Sequence, residues 1–390
     1  MIHPAMYDVV IAGAGVSGSY VAYRLASSGH RVAVFEEHGE VGKPVHCTGI
    51  IGAECFQRFP LFHHTVLRTA NSATLFSPSG RELTVRRDET QAYIIDRRAF
   101  DRSLAERSQI LGAEYFLRAR IADIAVLDDA VRVETEDGRS FTGKAAVIAS
   151  GCRSSLLQRL GTGRPQDIIT GAQAEVFNQN ADNIEVYFDQ KVATGFFGWL
   201  VPTTEDRALV GLFSRRETAK HMKDFVEMLV HKGKIAAPQL APVYAGIPLK
   251  PPGATYMERV LVVGDAAGQV KPTTGGGIYF GLLCAELAAD MLHQALSTGD
   301  FSENRFSSYQ QAWRRVLGRE LRIDRFARRL YQRLSNRHID FLFDLARSNG
   351  IHEYLARSPE LSFDWHGDAI IKGLGYLGPW RRLFTSGGGN

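Results

Sequence analysis

Cysteine is scarce and scattered in this 390-residue chain. Cys47, Cys55, Cys152 and Cys284 form no C-x-x-C pair, which argues against a zinc knuckle, a redox dithiol or a structural metal. Free thiols in a reducing compartment fit that spacing, and Cys55, Cys152 and Cys284 are expected in the core. Long apolar runs are missing as well. The most apolar late stretch, Gly275 to Leu296, carries Glu286 and Asp290, so it reads as a packed helix and not as a membrane span. The N-terminus offers neither a basic segment before an apolar region nor a small-residue cleavage site, so a cytoplasmic location is expected. No strong charge excess points to nucleic acid, because the net charge is only +4 and its basic surplus falls late in the chain. No internal repeat is visible, and only the tail Gly387 to Asn390 is low in complexity and expected to be disordered. With 45% hydrophobic residues the chain is ordinary globular protein, long enough for two domains.

What is present begins at once. Tyr7-Asp-Val-Val-Ile-Ala-Gly13-Ala-Gly15-Val-Ser-Gly18 joins a β-branched apolar run to a glycine turn, and Ser19 to Ser28 reads as the helix that follows. Gly13 permits the tight turn, Gly15 lets a pyrophosphate approach the backbone, and Gly18 lets helix and strand pack closely. A second strand, Arg31 to Phe35, ends at Glu36, placed to bind ribose hydroxyls and to repel a 2′-phosphate. Gly373-Leu-Gly375-Tyr-Leu-Gly378 has the same spacing, but Pro379 follows and too little chain remains for a crossover helix and strand. Only the first match is read as a dinucleotide site.

A second strand-loop-helix pattern says which dinucleotide. Val260-Leu-Val-Val-Gly264-Asp265 leads through Lys271-Pro-Thr-Thr to Gly275-Gly276-Gly277-Ile278 and a long apolar helix. An Asp at that strand end can accept hydrogen bonds from a ribityl chain. Backbone amides at the helix start would stabilise negative charge at flavin N1 and the C2 carbonyl. A nicotinamide dehydrogenase needs neither, so FAD is expected.

Between these segments lie Arg97-Arg-Ala-Phe100-Asp101 and Ala145-Ala-Val-Ile-Ala-Ser150-Gly151-Cys-Arg-Ser154. The ordered set resembles the para-hydroxybenzoate hydroxylase-like flavoprotein group, which includes aromatic hydroxylases, flavin halogenases, lycopene cyclases and geranylgeranyl reductases. That resemblance implies that Arg97 and Gly151 lie near the cofactor. Within the group, Pro44-Val-His46-Cys47-Thr-Gly49 is similar to the Pro-x-x-Cys-x-Gly stretch of geranylgeranyl reductases, and Gln269 to Gly281 is close to their loop after Gly-Asp. Phe197-Gly-Trp199-Leu-Val201-Pro202, with Gly211-Leu-Phe213, matches only part of their aromatic substrate motif Tyr-x-Trp-x-Phe-Pro followed by Gly-x-Gly. Trp199 and Pro202 agree, whereas Phe197, Val201 and Phe213 depart, which implies a differently shaped lipid pocket.

The resemblance implies reduction of carbon–carbon double bonds in a geranylgeranyl or other polyprenyl lipid. Hydride would come from reduced flavin N5 while a proton reaches the neighbouring carbon in a dry pocket. Cys47 is a candidate proton donor, since a thiol in water keeps its proton below about pH 8.5; His46 is a weaker one. A monooxygenase or halogenase of the same fold group is the alternative, and an electron carrier to quinone a second, although its usual iron–sulfur cluster finds no cysteine pattern here. The external reductant, NADPH or ferredoxin as a partner protein, stays open.

The expected fold is α/β: a Rossmann-type FAD-binding domain from 1–65, 91–165 and 255–300, an inserted antiparallel substrate sheet from 66–90 and 166–254, and a mainly helical region over 301–390. Strands are predicted at Ala73 to Phe76, Glu82 to Val85, Gly171 to Phe177, Asn183 to Phe188 and Phe196 to Pro202. In the last region Trp313 to His338 interleaves nine arginines with apolar residues at helical spacing. That pattern suits either peripheral contact with an anionic membrane at its inner face or a solvated basic face on a docked helix.

Overall fold

The computed structural model describes residues 6–152, 155–161, 163, 165–239, 241–348, 350, 353, 357 and 362–376. Ser154, Gly378 and the tail 387–390, singled out above, lie outside the described residues. The chain divides into two units, the first from 1–45, 97–168 and 247–319 and the second from 46–96, 169–246 and 320–390.

The first unit is built on an eight-stranded sheet. Its parallel centre runs Val260–Val262, Ser140–Ile148, Tyr7–Ala12, Val32–Phe35, Glu114–Phe116. Every residue of Tyr7–Ala12 except Asp8 is buried, as expected for a strand covered on both faces. One face packs Val10, Ala12, Phe35 and Ile148 together, and Phe35 stacks on Phe116 with centroids 5.0 Å apart. An antiparallel branch, Ile121–Val126 and Val131–Thr135, extends the sheet from Ser140–Ile148.

The first helix, Val16–Ser27, starts three residues earlier than its sequence suggested. Gly18 does not delay it, because that glycine belongs to the helix and is needed for packing. Arg24 in its last turn pairs with Glu286 at 3.1 Å and Asp290 at 2.7 Å, both on the helix Ile278–Thr298. These are the two acids that argued against a membrane span, and among the described residues no helix is long and apolar enough to cross one.

The second unit holds a seven-stranded sheet in the order Val243–Lys250, Gln166–Phe177, Arg207–Ser214, Gly198–Pro202, Ile184–Tyr187, Ser72–Phe76, Glu82–Arg86. Most pairs are antiparallel, but Ile184–Tyr187 and Ser72–Phe76 run parallel. Those two strands come from different insertions, so no hairpin obliges them to reverse. Arg207–Ser214 and Val243–Lys250 were not anticipated; the amphipathic helix Thr218–His231 lies between them in sequence.

Several expected boundaries move, and residues 166–168 and 247–254, expected in the substrate sheet, fall in the first unit. Residues 46–65 and 91–96 join the second unit, because Ile50–Gly52, Ala92–Ile95 and Val66–Ala70 form a three-stranded antiparallel sheet of their own. The stretch after 301 is helical, in Glu303–Tyr331, Asn336–Ser348 and Gly367–Tyr376, but it is no third unit. Residues 303–319 belong to the first unit, where Phe306, Tyr309, Trp313 and Leu317 are buried, and the rest belong to the second. Cys55 and Cys284 are in the core, whereas Cys152 is only half-buried because it occupies the turn after Ser140–Ile148.

Candidate active site

In the first unit the glycine turn can be tested residue by residue. A Cβ on Gly13, whose φ is +105°, would lie 2.5 Å from the Ala149 carbonyl oxygen, and one on Gly18 would lie 2.0 Å from the Gly13 oxygen. Both are required by the protein's own packing. Gly15 is different: it caps Val16–Ser27 with ordinary extended dihedrals, and a Cβ there would meet nothing within 4 Å. Its missing side chain leaves open space at a helix N-terminus, where amide donors and the helix dipole favour a phosphate.

Glu36 closes this end. Its Oε2 accepts a hydrogen bond from the Ala14 amide at 3.0 Å, and its Oε1 accepts one from the His38 amide and contacts His38 Nδ1 at 2.7 Å. A carboxylate has about four acceptor positions, so capacity remains for a ribose hydroxyl. His38 escaped the sequence reading; an imidazole two residues after the acid was its only signal. Ser150 Oγ is buried with no hydrogen-bond partner among the described residues, beside Gly151 with φ +72°. An unsatisfied hydroxyl, an open glycine and an acid at the strand end fit the adenosine and pyrophosphate of FAD.

The second strand-loop-helix is locked from below. Gly264, at φ +70°, donates its amide to Gln269 Oε1 at 2.7 Å, Gln269 Nε2 bonds the Tyr309 hydroxyl at 2.9 Å, and that hydroxyl donates to the Val262 carbonyl at 2.9 Å. Gln269 and Tyr309 were missed as supports, since a Tyr forty residues downstream gives no local sign of the contact. Asp265 keeps an opening to solvent but is otherwise surrounded by protein. Burial pushes its carboxyl up, and the Arg97 guanidinium pulls the other way. Arg97 itself is held by Asp101, with Nε at 3.0 Å and Nη2 at 2.9 Å from the two carboxylate oxygens.

The triple glycine needs one adjustment. Gly275 donates its amide to the Lys271 carbonyl at 2.9 Å, and the Gly276 amide faces Thr274 Oγ1 at 3.4 Å, so these two are engaged within the loop. The amides of Gly277 and Ile278, at the start of Ile278–Thr298, donate to no group among the described residues. A Cβ on Gly277 would come within 2.9 Å of Asp265 Oδ1, so carboxylate and helix start are neighbours. Donors beside an acceptor at a helix N-terminus suit a flavin pyrimidine edge and ribityl chain.

The other candidates belong to the second unit. Cys47 is half-buried, and the Gly49 amide donates to its Sγ at 3.4 Å. His46 is exposed. Phe197 immediately precedes the strand Gly198–Pro202, which carries Trp199 and ends at Pro202. The Trp199 and Phe213 rings lie 4.7 Å apart, with Phe197 5.6 Å from Phe213. Phe213, one of the departures from the family motif, therefore fills space beside Trp199. The Trp199 Nε1 is buried and finds no hydrogen-bond partner among the described residues. Gly373 and Gly375 of the rejected motif fall inside the helix Gly367–Tyr376, and among the described residues no strand leads into it to form a nucleotide turn.

The model of the lycopene cyclase protein family matches residues 8–352. The chain belongs to the geranylgeranyl reductase branch of this FAD-dependent oxidoreductase family. It is 30% identical over 356 residues to the digeranylgeranylglycerophospholipid reductase of Methanocaldococcus jannaschii, covering 86% of this chain and 90% of that one. Among solved structures, a geranylgeranyl bacteriochlorophyll reductase-like protein from Thermoplasma acidophilum superposes with a TM-score of 0.83 at 20% identity, over 97% of this chain and 99% of that one. A probable FAD-dependent monooxygenase from Pseudomonas aeruginosa reaches 0.66 at 19% identity, covering 87% of this chain and all of the other. Both structural likenesses establish the flavoprotein fold that geranylgeranyl reductases share with monooxygenases.

Proposed function

We propose that the protein is an FAD-dependent reductase that saturates carbon–carbon double bonds in a polyprenyl lipid, with a digeranylgeranyl glycerophospholipid as the preferred class. The observation that carries this reading is the match, over 86% of this chain and 90% of the relative, to a reductase named for that lipid, in a chain whose glycine turn and Gly277–Ile278 amides suit a flavin.

The flavin, when bound, supplies the hydride. The protein's residues do the rest. Gly13, Gly15 and Gly18 with Glu36 hold the adenosine end, and Gly151 and Ser150 line it. Arg97, Gly264, Asp265 and the helix start at Ile278 hold the isoalloxazine end, with Gly275 and Gly276 shaping the loop. Phe197, Trp199 and Pro202 supply an apolar wall that keeps water from an alkene. Cys47 Sγ holds the proton for the second carbon, and the Gly49 amide stabilises the thiolate left behind. His46, being exposed, serves at most to return that proton from solvent.

The reductant is NADPH binding without a domain of its own, or ferredoxin. Stopped-flow bleaching of the flavin by each in turn separates them. Membrane contact is the remaining part. On Glu303–Tyr331 the acids Glu320 and Asp324 are buried, while Arg322, Phe326 and Arg329 are exposed, as is Arg333 just beyond. That face is cationic with one large apolar side chain, which suits an anionic bilayer surface. Co-sedimentation with phosphatidylglycerol vesicles, lost on R322E/R329E, tests it.

The deciding experiment is lipid mass spectrometry after expression in a host that makes unsaturated prenyl lipids. Gain of two hydrogens per reduced bond is expected. A colourless protein, or oxygen-dependent hydroxylation of an aromatic with no lipid reduction, overturns the reading in favour of a monooxygenase.

A further inference from the structure

Gln173 occupies the middle of Gln166–Phe177, within Gly171-Ala172-Gln173-Ala174, and is only 4% exposed. A primary amide buried in an apolar strand is unfavourable unless its polar atoms are used, so its partner is informative. That partner is Thr48, whose Oγ1 donates to Gln173 Oε1 at 2.7 Å. Thr48 follows Cys47 directly.

The register shows which face of the sheet is involved. Gln173 lies opposite Gly211, and Gly211 opposite Trp199, so three adjacent strands present Gln173, Gly211 and Trp199 side by side on one face. The turn carrying Cys47 has another attachment as well. Gly49, at φ +74°, accepts a hydrogen bond from the Ile95 amide at 2.9 Å, which ties it to the three-stranded sheet. The turn is thus held by the small sheet through backbone and by the large sheet through a side-chain pair.

We propose that Gln173 and Thr48 are positioning residues: their hydrogen bond fixes the turn carrying the Cys47 thiol to the Trp199 face of the large sheet. The proposal rests on the reading of Cys47 as proton donor. Neither residue transfers a proton. Loss of the tie lets the turn move while the small sheet still holds its far end, so proton delivery slows more than lipid binding weakens.

The test uses the flavin-loaded full chain, with two readouts: steady-state turnover of a prenyl lipid, and the rate of Cys47 alkylation by iodoacetamide followed by peptide mass spectrometry. Thr48→Val and Gln173→Leu are expected to lower kcat on the order of tenfold to a hundredfold with KM within about twofold, and to change Cys47 alkylation severalfold. Thr48→Ser and Gln173→Glu, which keep a donor and an acceptor, restore most of both. The double variant Thr48→Val/Gln173→Leu strands no polar group, so its melting temperature returns towards that of the native protein while kcat stays low. Recovery of kcat together with melting temperature in the double variant would show a purely structural pair and overturn the proposal, as would unchanged alkylation in folded single variants. Full turnover by Cys47→Ser would instead remove the proton-donor reading, and the alkylation readout would still report the tie.

Discussion

Trp199 lies across Gly211. A Cβ built on that glycine would come within 2.3 Å of the indole Cζ2 and 2.5 Å of Cε2. Neither atom belongs to a flexible side-chain end, so Gly211→Ala must displace the ring or the strand. Overpacking of this kind costs about 1–3 kcal/mol. The variant should melt lower, shift its tryptophan emission and raise KM for the lipid more than it lowers kcat; unchanged emission would place the indole elsewhere.

Gly15 and Gly18 should separate when each is replaced by Ala. At Gly15 the backbone is ordinary and a methyl meets nothing, so the flavin-free protein should be as stable as native, or more so by about 0.4–1 kcal/mol. Flavin affinity should nevertheless fall, because the methyl occupies the space left for a pyrophosphate. Gly18→Ala meets the Gly13 carbonyl and should unfold at lower temperature with or without flavin. Thermal melts of both variants before and after flavin reconstitution decide.

Asp265 gives a pH dependence of determinate sign. Burial raises its folded pKa above 3.8, with Arg97 opposing. From about that pH upward the folded state keeps a proton that the unfolded state has released, so this group's contribution falls as pH rises through the folded pKa. Asp265→Asn should therefore raise the melting temperature of flavin-free protein at neutral pH, the gap closing as pH drops towards 4, while flavin retention declines. A lower melting temperature for the variant at neutral pH would contradict the assignment.

His30 acts in the opposite range. Burial, with His293 and Lys144 nearby, lowers its pKa below 6.5, and Asp8 opposes. Its Nε2 lies 2.8 Å from His293 Nδ1, so one ring donates and the other must accept. The unfolded chain takes up a proton near pH 6.5 that the folded chain refuses, so stability present above that pH is lost as pH falls. His30→Gln should flatten the fall in melting temperature between about pH 7.5 and about pH 5.5; an unaltered slope would exclude the pair as its source.

The legible parts of the sequence were those where backbone geometry dictates residue type. Tyr7–Ala12 emerged with the limits expected for it, because a strand covered on both faces must be a continuous apolar run. Gly13, Gly18 and Gly264 announced themselves for a similar reason: other residues would collide or adopt left-handed dihedrals. Arg207–Ser214 was harder to see, since Gly211 interrupts it for the sake of Trp199 on the neighbouring strand. Thr48–Gln173 and Gln269–Tyr309 bridge 125 and 40 residues, and no local pattern encodes which polar side chain meets which. The same limit hid the small sheet, whose three strands are short and separated by helix and loop.

The backbone passes from one unit to the other five times, at 45/46, 96/97, 168/169, 246/247 and 319/320. Neither half can be excised as a continuous cassette. Exchanging the second unit between relatives would require five simultaneous splices, so a block exchange disturbs the chain at five junctions where a point replacement, at Phe197 or Phe213 for instance, disturbs it at none.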